Sequence, residues 1–102
     1  MKRASRLWAV VGVRGVPRLS RFYGITIWMY WDEVHHSLPH FHARYGEYKA
    51  SFDLMGEVIV GKLPRRQLRL VQAWAEIHFD ELRADWDLAV KEKPLNPIEP
   101  LR

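Results

Sequence analysis

The chain has 102 residues, no cysteine and a formal net charge of +4 at neutral pH. This length fits one domain with a single hydrophobic core, and the lack of cysteine excludes disulfides and thiolate metal ligands. Residues 1–16 hold four bases and no acid, so the rest of the chain, with twelve of each, is neutral. We therefore expect no uniformly basic domain, and any positive surface should come from residues 17–69, which hold eight bases and five acids.

Residues 1–16 are predicted to be an N-terminal extension, either disordered or absent from the native product. They combine a basic start with a short apolar run that is too short to span a membrane, and no signal-peptide cleavage site follows it. Val16 is an alternative translation start to Met1, because a GUG codon is read as methionine at a start and as valine elsewhere. Residues 17–102 are predicted to form a single α+β domain.

Strand-like sequence fills the first half of this domain. Residues 22–31 combine β-branched and aromatic side chains, which predicts a central strand buried on most of both faces. Residues 40–45 and 47–53 alternate in polarity and meet at Gly46, which predicts a tight hairpin. Residues 57–60 predict a fourth strand, and four short successive strands favour an antiparallel meander.

After Gly61 the apolar period changes from two to about three and a half, which indicates a switch from strand to helix. Pro64 suits the first helical position, and Asp80 is a candidate cap that would divide the run into two helices near Phe79. One apolar stripe should cover one side of the sheet. Its members are Leu68, Val71, Trp74, Ala75, His78, Leu82, Trp86, Ala89 and Val90.

Three prolines end the helical region, so residues 95–101 are expected to be extended and to dock along a sheet edge. The predicted fold class is α+β, with a small N-terminal antiparallel sheet of about four strands packed against one long or two consecutive C-terminal helices. Within the helices, Trp74, His78 and Trp86 are expected in the core. A solvated acidic surface is expected from Asp80, Glu81, Asp85 and Asp87.

Four of the five histidines lie within eight residues, at His35, His36, His40 and His42. These are candidate ligands of a metal site completed by a carboxylate from Asp32, Glu33 or Glu47. Imidazole and carboxylate ligands suit a divalent transition metal such as zinc. The spacing matches no established zinc motif, however, and the alternative is that the histidines are hydrogen-bonding or surface residues. We expect no cofactor, with such a metal as the alternative.

His40 and His42 are also candidate catalytic residues. On a strand they share one face, because side chains two residues apart point the same way. Two such histidines with a lysine or arginine to stabilise the phosphate would be enough for acid–base cleavage of RNA. Because almost any domain of this composition holds the same inventory, the sequence leaves enzymatic activity open.

Residues 61–69 lead from a glycine turn into a basic helix start. Free N–H groups there, together with nearby cations, would bind phosphate, although surface arginines are usually only solvated and these oppose the helix dipole. With the bases of the sheet region added, the candidate nucleic-acid or phosphate site comprises Arg21, Arg44, Lys49, Lys62, Arg65, Arg66 and Arg69.

Five ordered segments resemble the family of small prokaryotic proteins called domain of unknown function 4160 (DUF4160). They are residues 20–25 (SRFYGI), 39–42 (PHFH), 61–66 (GKLPRR), 74–82 (WAEIH followed by EL) and 98–101 (IEPL). The resemblance covers about residues 18–101, and several motifs in the same order are more specific than any one of them. Members of the family typically start just before the first segment, which agrees with an extension at residues 1–16.

The resemblance implies a cellular context more than a chemistry. Members are often encoded beside, or fused to, another small domain, an arrangement similar to toxin–antitoxin modules. The family carries no assigned catalytic residue. It tends to have prolines and an acidic residue where this chain has His35, His36 and Ser37, which weakens a four-histidine metal site and leaves His40 and His42.

We therefore expect a small cytoplasmic protein of a toxin–antitoxin-like pair that binds a cognate small protein encoded nearby, RNA or DNA, or both. The alternative is a histidine-dependent or metal-dependent ribonuclease-like enzyme that uses His40 and His42. A third possibility is a purely structural interaction domain. No membrane association is expected, and an oligomer is compatible with the sequence.

Overall fold

The computed structural model describes residues 17–31 and 38–102, which form a sheet followed by two helices. The expected extension at residues 1–16 and the candidate ligands Asp32, Glu33, His35 and His36 lie outside this part of the chain. The strands are β1 (Arg18–Phe22), β2 (Ile25–Trp28), β3 (His40–Tyr45), β4 (Tyr48–Asp53) and β5 (Val58–Gly61), and the helices are α1 (Arg65–Ile77) and α2 (Phe79–Val90).

The strands form one antiparallel sheet in the order β1-β2-β3-β4-β5, a meander in which each strand pairs with the next. The α+β class with two consecutive C-terminal helices is thereby confirmed. Neither helix is long and apolar enough to cross a membrane, and this holds for the described residues only.

The expectation of one central strand over residues 22–31 is wrong. Tyr23 and Gly24 form a two-residue turn between β1 and β2, with φ angles of 50° and 79°. Positive φ at both central positions gives the turn the twist that joins two antiparallel strands closely. Phe22 and Ile25 pair across this turn. The segment is therefore a hairpin, which raises the number of described strands from about four to five.

The hairpin expected around Gly46 is confirmed. Tyr45 and Tyr48 pair at its end, and the turn consists of Gly46, with a φ of 59°, and Glu47. The pairing continues along β3 and β4, with Phe41 opposite Phe52 and their rings stacked at 5.2 Å.

One face of the sheet, called here the covered face, packs against α1. It is made of buried apolar side chains: Phe22, Ile25, Ile27, Phe41, Ala43, Ala50 and Phe52. Trp74 of α1 is fully buried against it, with its ring 5.5 Å from that of Phe22 and 5.7 Å from that of Phe41. Leu82, Trp86 and Ala89 of α2 complete the core.

The C-terminal tail docks on the sheet edge, as expected. The Ile98 N–H donates to the Leu19 carbonyl of edge strand β1 at 2.7 Å, and the Ile98 side chain is buried. The Trp74 indole N–H donates to the Glu99 carbonyl at 2.9 Å. The Trp31 indole N–H likewise donates to the Lys93 carbonyl at 2.9 Å. The tail thus joins the β1 edge to α1.

Asp85 does not belong to a solvated acidic surface, so this part of the prediction is wrong. Its side chain is 1 % exposed because the tail packs over this position of α2. Oδ1 accepts the Asn96 N–H at 2.8 Å, whereas buried Oδ2 has no hydrogen-bond partner in the part of the chain that the structure describes. Burial raises the pKa of the Asp85 carboxyl to about 6; the Asn96 bond opposes this rise and the charge of Glu81 adds to it.

The break between the helices falls at His78, one residue before the expected position. Asp80 consequently lies in the first turn of α2 and does not cap it. The His78 side chain is 14 % exposed, with its ring 5.7 Å from that of Trp74, and Nδ1 bonds to Oε1 of Glu81 at 2.5 Å. His78 is therefore a nearly buried residue with a satisfied hydrogen bond, in line with the expectation of a core histidine.

Candidate nucleic-acid interface

The second face of the sheet, called here the open face, carries the chemistry-bearing side chains. Cross-strand pairing places on it the residues that alternate with those of the covered face. Arg18, Arg21, Arg44 and Lys49 are all exposed, whereas α1 packs against the opposite side of the sheet. These basic side chains are therefore accessible to a ligand. The second helix, α2, reaches this face at His40, whose ring lies 5.3 Å from that of Trp86.

Register aligns one group of these side chains into a row across four strands, called here the charge row. Arg21 pairs with Thr26, Thr26 with Arg44, and Arg44 with Lys49. Because neighbouring strands are about 4.8 Å apart, the row extends about 14 Å from β1 to β4. Three cations thus line up at right angles to the strands, although Arg21 is more than twenty residues from the other two in sequence.

Local hydrogen bonds hold the two arginines of this row in place and use only one N–H donor of each. Arg21 Nη1 donates to Thr26 Oγ1 at 3.2 Å, and Arg44 Nε donates to the Gly46 carbonyl at 3.2 Å. A guanidinium has five N–H donors, so each arginine can also contact phosphate.

The strands of the open face carry one acid, Asp53. Its carboxylate accepts the N–H groups of Met55 and Glu57 in a turn, at 2.9 and 3.0 Å.

A ring cluster of Trp28, Tyr30 and His42 lies beside the charge row. The Trp28 and His42 rings stack at 5.3 Å with 16° between their planes. Tyr30 meets His42 edge-on at 4.9 Å and Trp28 at 6.2 Å. Trp28 is buried and its indole nitrogen has no hydrogen-bond partner among the described residues, whereas Tyr30 and His42 are half-buried. Trp28 therefore supports two rings that reach the surface.

Two shallow hollows flank this ring cluster. One, of about 290 Å³, is lined by the three rings together with Lys49, Ser51 and Val60 and adjoining backbone. The other, of about 310 Å³, is lined by Trp28, Tyr30, Arg18, Thr26 and Arg44. Their volumes lie at the lower end of those typical of ligand pockets. Each hollow thus combines an aromatic wall with at least one cation.

His40 and His42 share the open face, as strand alternation predicts. Their ring centroids are 5.1 Å apart, and His40 Nδ1 bonds to the Leu38 carbonyl at 2.7 Å. No group of three His, Asp or Glu side chains within residues 17–31 and 38–102 is arranged to hold a metal. Glu47 lies in the turn at the far end of β3 from His40.

The predicted phosphate site is divided by the fold. Arg21, Arg44 and Lys49 belong to the charge row, whereas Arg65, Arg66 and Arg69 are exposed on α1, in the layer on the covered face. Lys62 lies between the two groups, and its backbone N–H donates to the Lys49 carbonyl at 3.0 Å. The structure therefore brings together the three sheet cations but not all seven candidates.

Sequence reasoning missed Arg18, Trp28 and Tyr30 as site residues. The detectable signal was alternation: once a turn is placed at Tyr23 and Gly24, Arg21, Thr26 and Trp28 fall on one face of the resulting hairpin. Arg18 joins this face only through the register shift between Arg18 and Ser20, which alternation does not reveal. The run of β-branched and aromatic residues concealed this turn. The sequence pattern therefore predicts that Trp28 belongs to a strand buried on both faces.

Comparison with known proteins supports the family resemblance. No curated protein and no solved structure matches the chain significantly. Residues 24–87, more than half of the chain, match the family described as "Domain of unknown function (DUF4160)". This matched region contains β2 to β5, α1 and most of α2, and with them the ring cluster and two of the three cations of the charge row. The chain belongs to the DUF4160 family.

Proposed function

We propose that this protein is a small cytoplasmic member of a toxin–antitoxin-like pair that binds nucleic acid through its open face. The observation that carries the proposal is the alignment of Arg21, Arg44 and Lys49 beside partly exposed aromatic rings. Cations that follow a backbone and rings that stack on bases are the two parts that nucleic-acid-binding surfaces combine. The toxin–antitoxin-like context rests on what the family resemblance implies, namely that members are often encoded beside another small domain.

The electrostatics of the open face favour an anionic ligand. Arg18, Arg21, Arg44 and Lys49 provide four cations, and the one acid among the open-face strand residues, Asp53, is engaged in its own turn. If each cation contacts one phosphate, the affinity for a single strand should fall with salt with a log–log slope of about −3.

The test compares two triple variants that remove the same charge from different surfaces. Arg21→Gln, Arg44→Gln and Lys49→Gln neutralise the charge row, and Arg65→Gln, Arg66→Gln and Arg69→Gln neutralise the start of α1. Fluorescence polarisation with a labelled random oligonucleotide of about 12 nucleotides measures the affinity. We expect the charge-row triple variant to lose at least about tenfold in affinity and the α1 triple variant to lose much less.

Equal losses of affinity in both variants would mean that binding depends on the net charge of the protein and not on the open face. No binding of RNA or DNA by the native protein at low salt would remove the proposal altogether. In that case co-expression with the neighbouring gene product tests the remaining expectation, a stable complex with a small protein.

The second candidate function is ribonuclease-like cleavage by His40 and His42. It is favoured by the 5.1 Å separation of the two rings and by the hollow that His42 and Lys49 line together. A general acid, a general base and a cation near one phosphate are sufficient for such cleavage.

Cleavage of a labelled RNA, with metal analysis of protein purified without a histidine tag, tests this second function. A His40→Ala, His42→Ala variant should lose cleavage. His78→Gln should retain it, because His78 lies beside Trp74 in the layer on the covered face. Stoichiometric metal that is lost in the double variant would identify a metalloenzyme. Intact RNA after prolonged incubation with the native protein would exclude cleavage.

A further inference from the structure

The charge row and the ring cluster lie at different positions on the open face. Their relative position indicates whether the nucleic acid is single-stranded or double-stranded. We propose that the open face binds a single-stranded nucleic acid that crosses the β-strands, an inference that rests on the proposed function. Its phosphates follow the charge row, and two successive bases occupy the hollows on either side of Trp28 and Tyr30.

The register sets the distance between the phosphate track and the base track. Trp28 and His42 pair with each other and lie two residues along their strands from Thr26 and Arg44. Two residues of a β-strand correspond to about 7 Å. The rings therefore form a line parallel to the charge row, and a chain that crosses the strands can contact both lines at once.

A double helix fits this arrangement poorly. In a duplex the phosphates lie outside and the paired bases stack on one another inside, so flat rings beside a row of cations cannot contact base faces. Unpaired bases, in contrast, stack on aromatic side chains that a sheet presents, while cations track the backbone. The half-buried Tyr30 and His42 are the rings that reach the surface for such stacking.

The hollows divide the ring cluster into two base-sized positions. One lies toward β4 and β5, beside Lys49, Ser51 and Val60, and the other toward β1, beside Arg18 and Arg44. Both are bounded by Trp28 and Tyr30, so they succeed one another in the direction of the charge row. Each position then has a cation for the phosphate of its own nucleotide.

The experiment uses three probes of the same length with the native protein: a single strand, the corresponding duplex, and a strand of abasic sites that keeps the phosphates and lacks the bases. We expect the single strand to bind at least about tenfold more tightly than either of the others. Tyr30→Leu should weaken binding of the base-bearing strand and leave binding of the abasic strand unchanged. The charge-row triple variant should weaken both and reduce the magnitude of the salt slope by about 2.

Tyr30→Phe keeps the ring and should bind like the native protein, which separates loss of stacking from loss of folding. Duplex binding as tight as single-strand binding would overturn the inference and leave the proposed function standing, provided that the charge-row variant still loses affinity. Equal binding of the abasic and base-bearing strands by the native protein, which needs no variant, would also overturn it. If none of the probes binds, both proposals fail.

Discussion

Replacing the buried acid Asp85 by asparagine should stabilise the protein at neutral pH. The carboxyl is 1 % exposed and one of its oxygens has no hydrogen-bond partner within residues 17–31 and 38–102, so its ionised form is poorly solvated. Asparagine keeps an oxygen that can accept the Asn96 N–H, and it carries no charge at any pH. In its hydrogen-bonding it resembles the protonated acid.

The magnitude and sign follow from the pKa. Burial raises the pKa of Asp85 from 3.8 to about 6, so the folded state binds the proton more tightly than the unfolded chain does. The stability that this protonation contributes is fully present below pH 3.8 and is lost as the pH rises through about 6. One pKa unit corresponds to about 1.4 kcal/mol, so ionised Asp85 costs the fold about 3 kcal/mol at neutral pH.

The assay is urea denaturation followed by tryptophan fluorescence, at about pH 3.5 and about pH 7.5. Asp85→Asn should match the native protein at the lower pH and exceed its free energy of unfolding by up to about 3 kcal/mol at the higher pH. Asp87→Asn is the matched control, because Asp87 is on the same helix and its side chain is 59 % exposed. This control should change stability by less than about 1 kcal/mol at both pH values.

The reasoning would be refuted by an Asp85→Asn variant whose stability follows the same pH dependence as the native protein. A variant less stable than the native protein at the higher pH would refute it as well. That result would mean that the carboxylate of Asp85 is stabilised in the fold.

Two further predictions concern the elements that hold the open face in place. Ile98→Ala should lower the free energy of unfolding by about 2–4 kcal/mol, because it removes a buried side chain that fixes the tail to β1. A loss below about 1 kcal/mol in urea denaturation would show that the tail contributes little to stability. Gly61→Ala should destabilise far more than Gly46→Ala in the same measurement. A Cβ at Gly61 would overlap the Lys49 carbonyl oxygen, while one at Gly46 meets no described atom within 4 Å. Both glycines have positive φ, so equal effects would mean that backbone conformation alone decides the outcome.

Local pattern was enough to predict most of the fold. Alternation placed His40 and His42 on one face, Gly46 marked a hairpin, and the apolar stripe identified a helical layer with Trp74 in its core. These features depend on residues close in sequence. The hairpin at Tyr23 and Gly24 escaped prediction because a tyrosine with positive φ is unusual and apolar residues continue on both sides of it.

Features that depend on distant contacts were not predictable in the same way. Asp85 resembles its exposed neighbours in sequence, and only the returning tail buries it. Likewise, Arg65, Arg66 and Arg69 are adjacent to a strand in sequence but lie on α1, whereas Arg21, Arg44 and Lys49 are aligned by strand register. The candidate site therefore required the pairing of the strands as well as the list of basic residues.

The most direct measurement is an NMR titration of the isotope-labelled protein with a single-stranded oligonucleotide of about 12 nucleotides. Binding on the open face predicts that the largest backbone shift changes fall on Thr26, Trp28, His42, Arg44 and Lys49, with small changes along α1. Shift changes confined to the start of α1 at Arg65, Arg66 and Arg69 would contradict it, and so would a spectrum unchanged at saturating oligonucleotide.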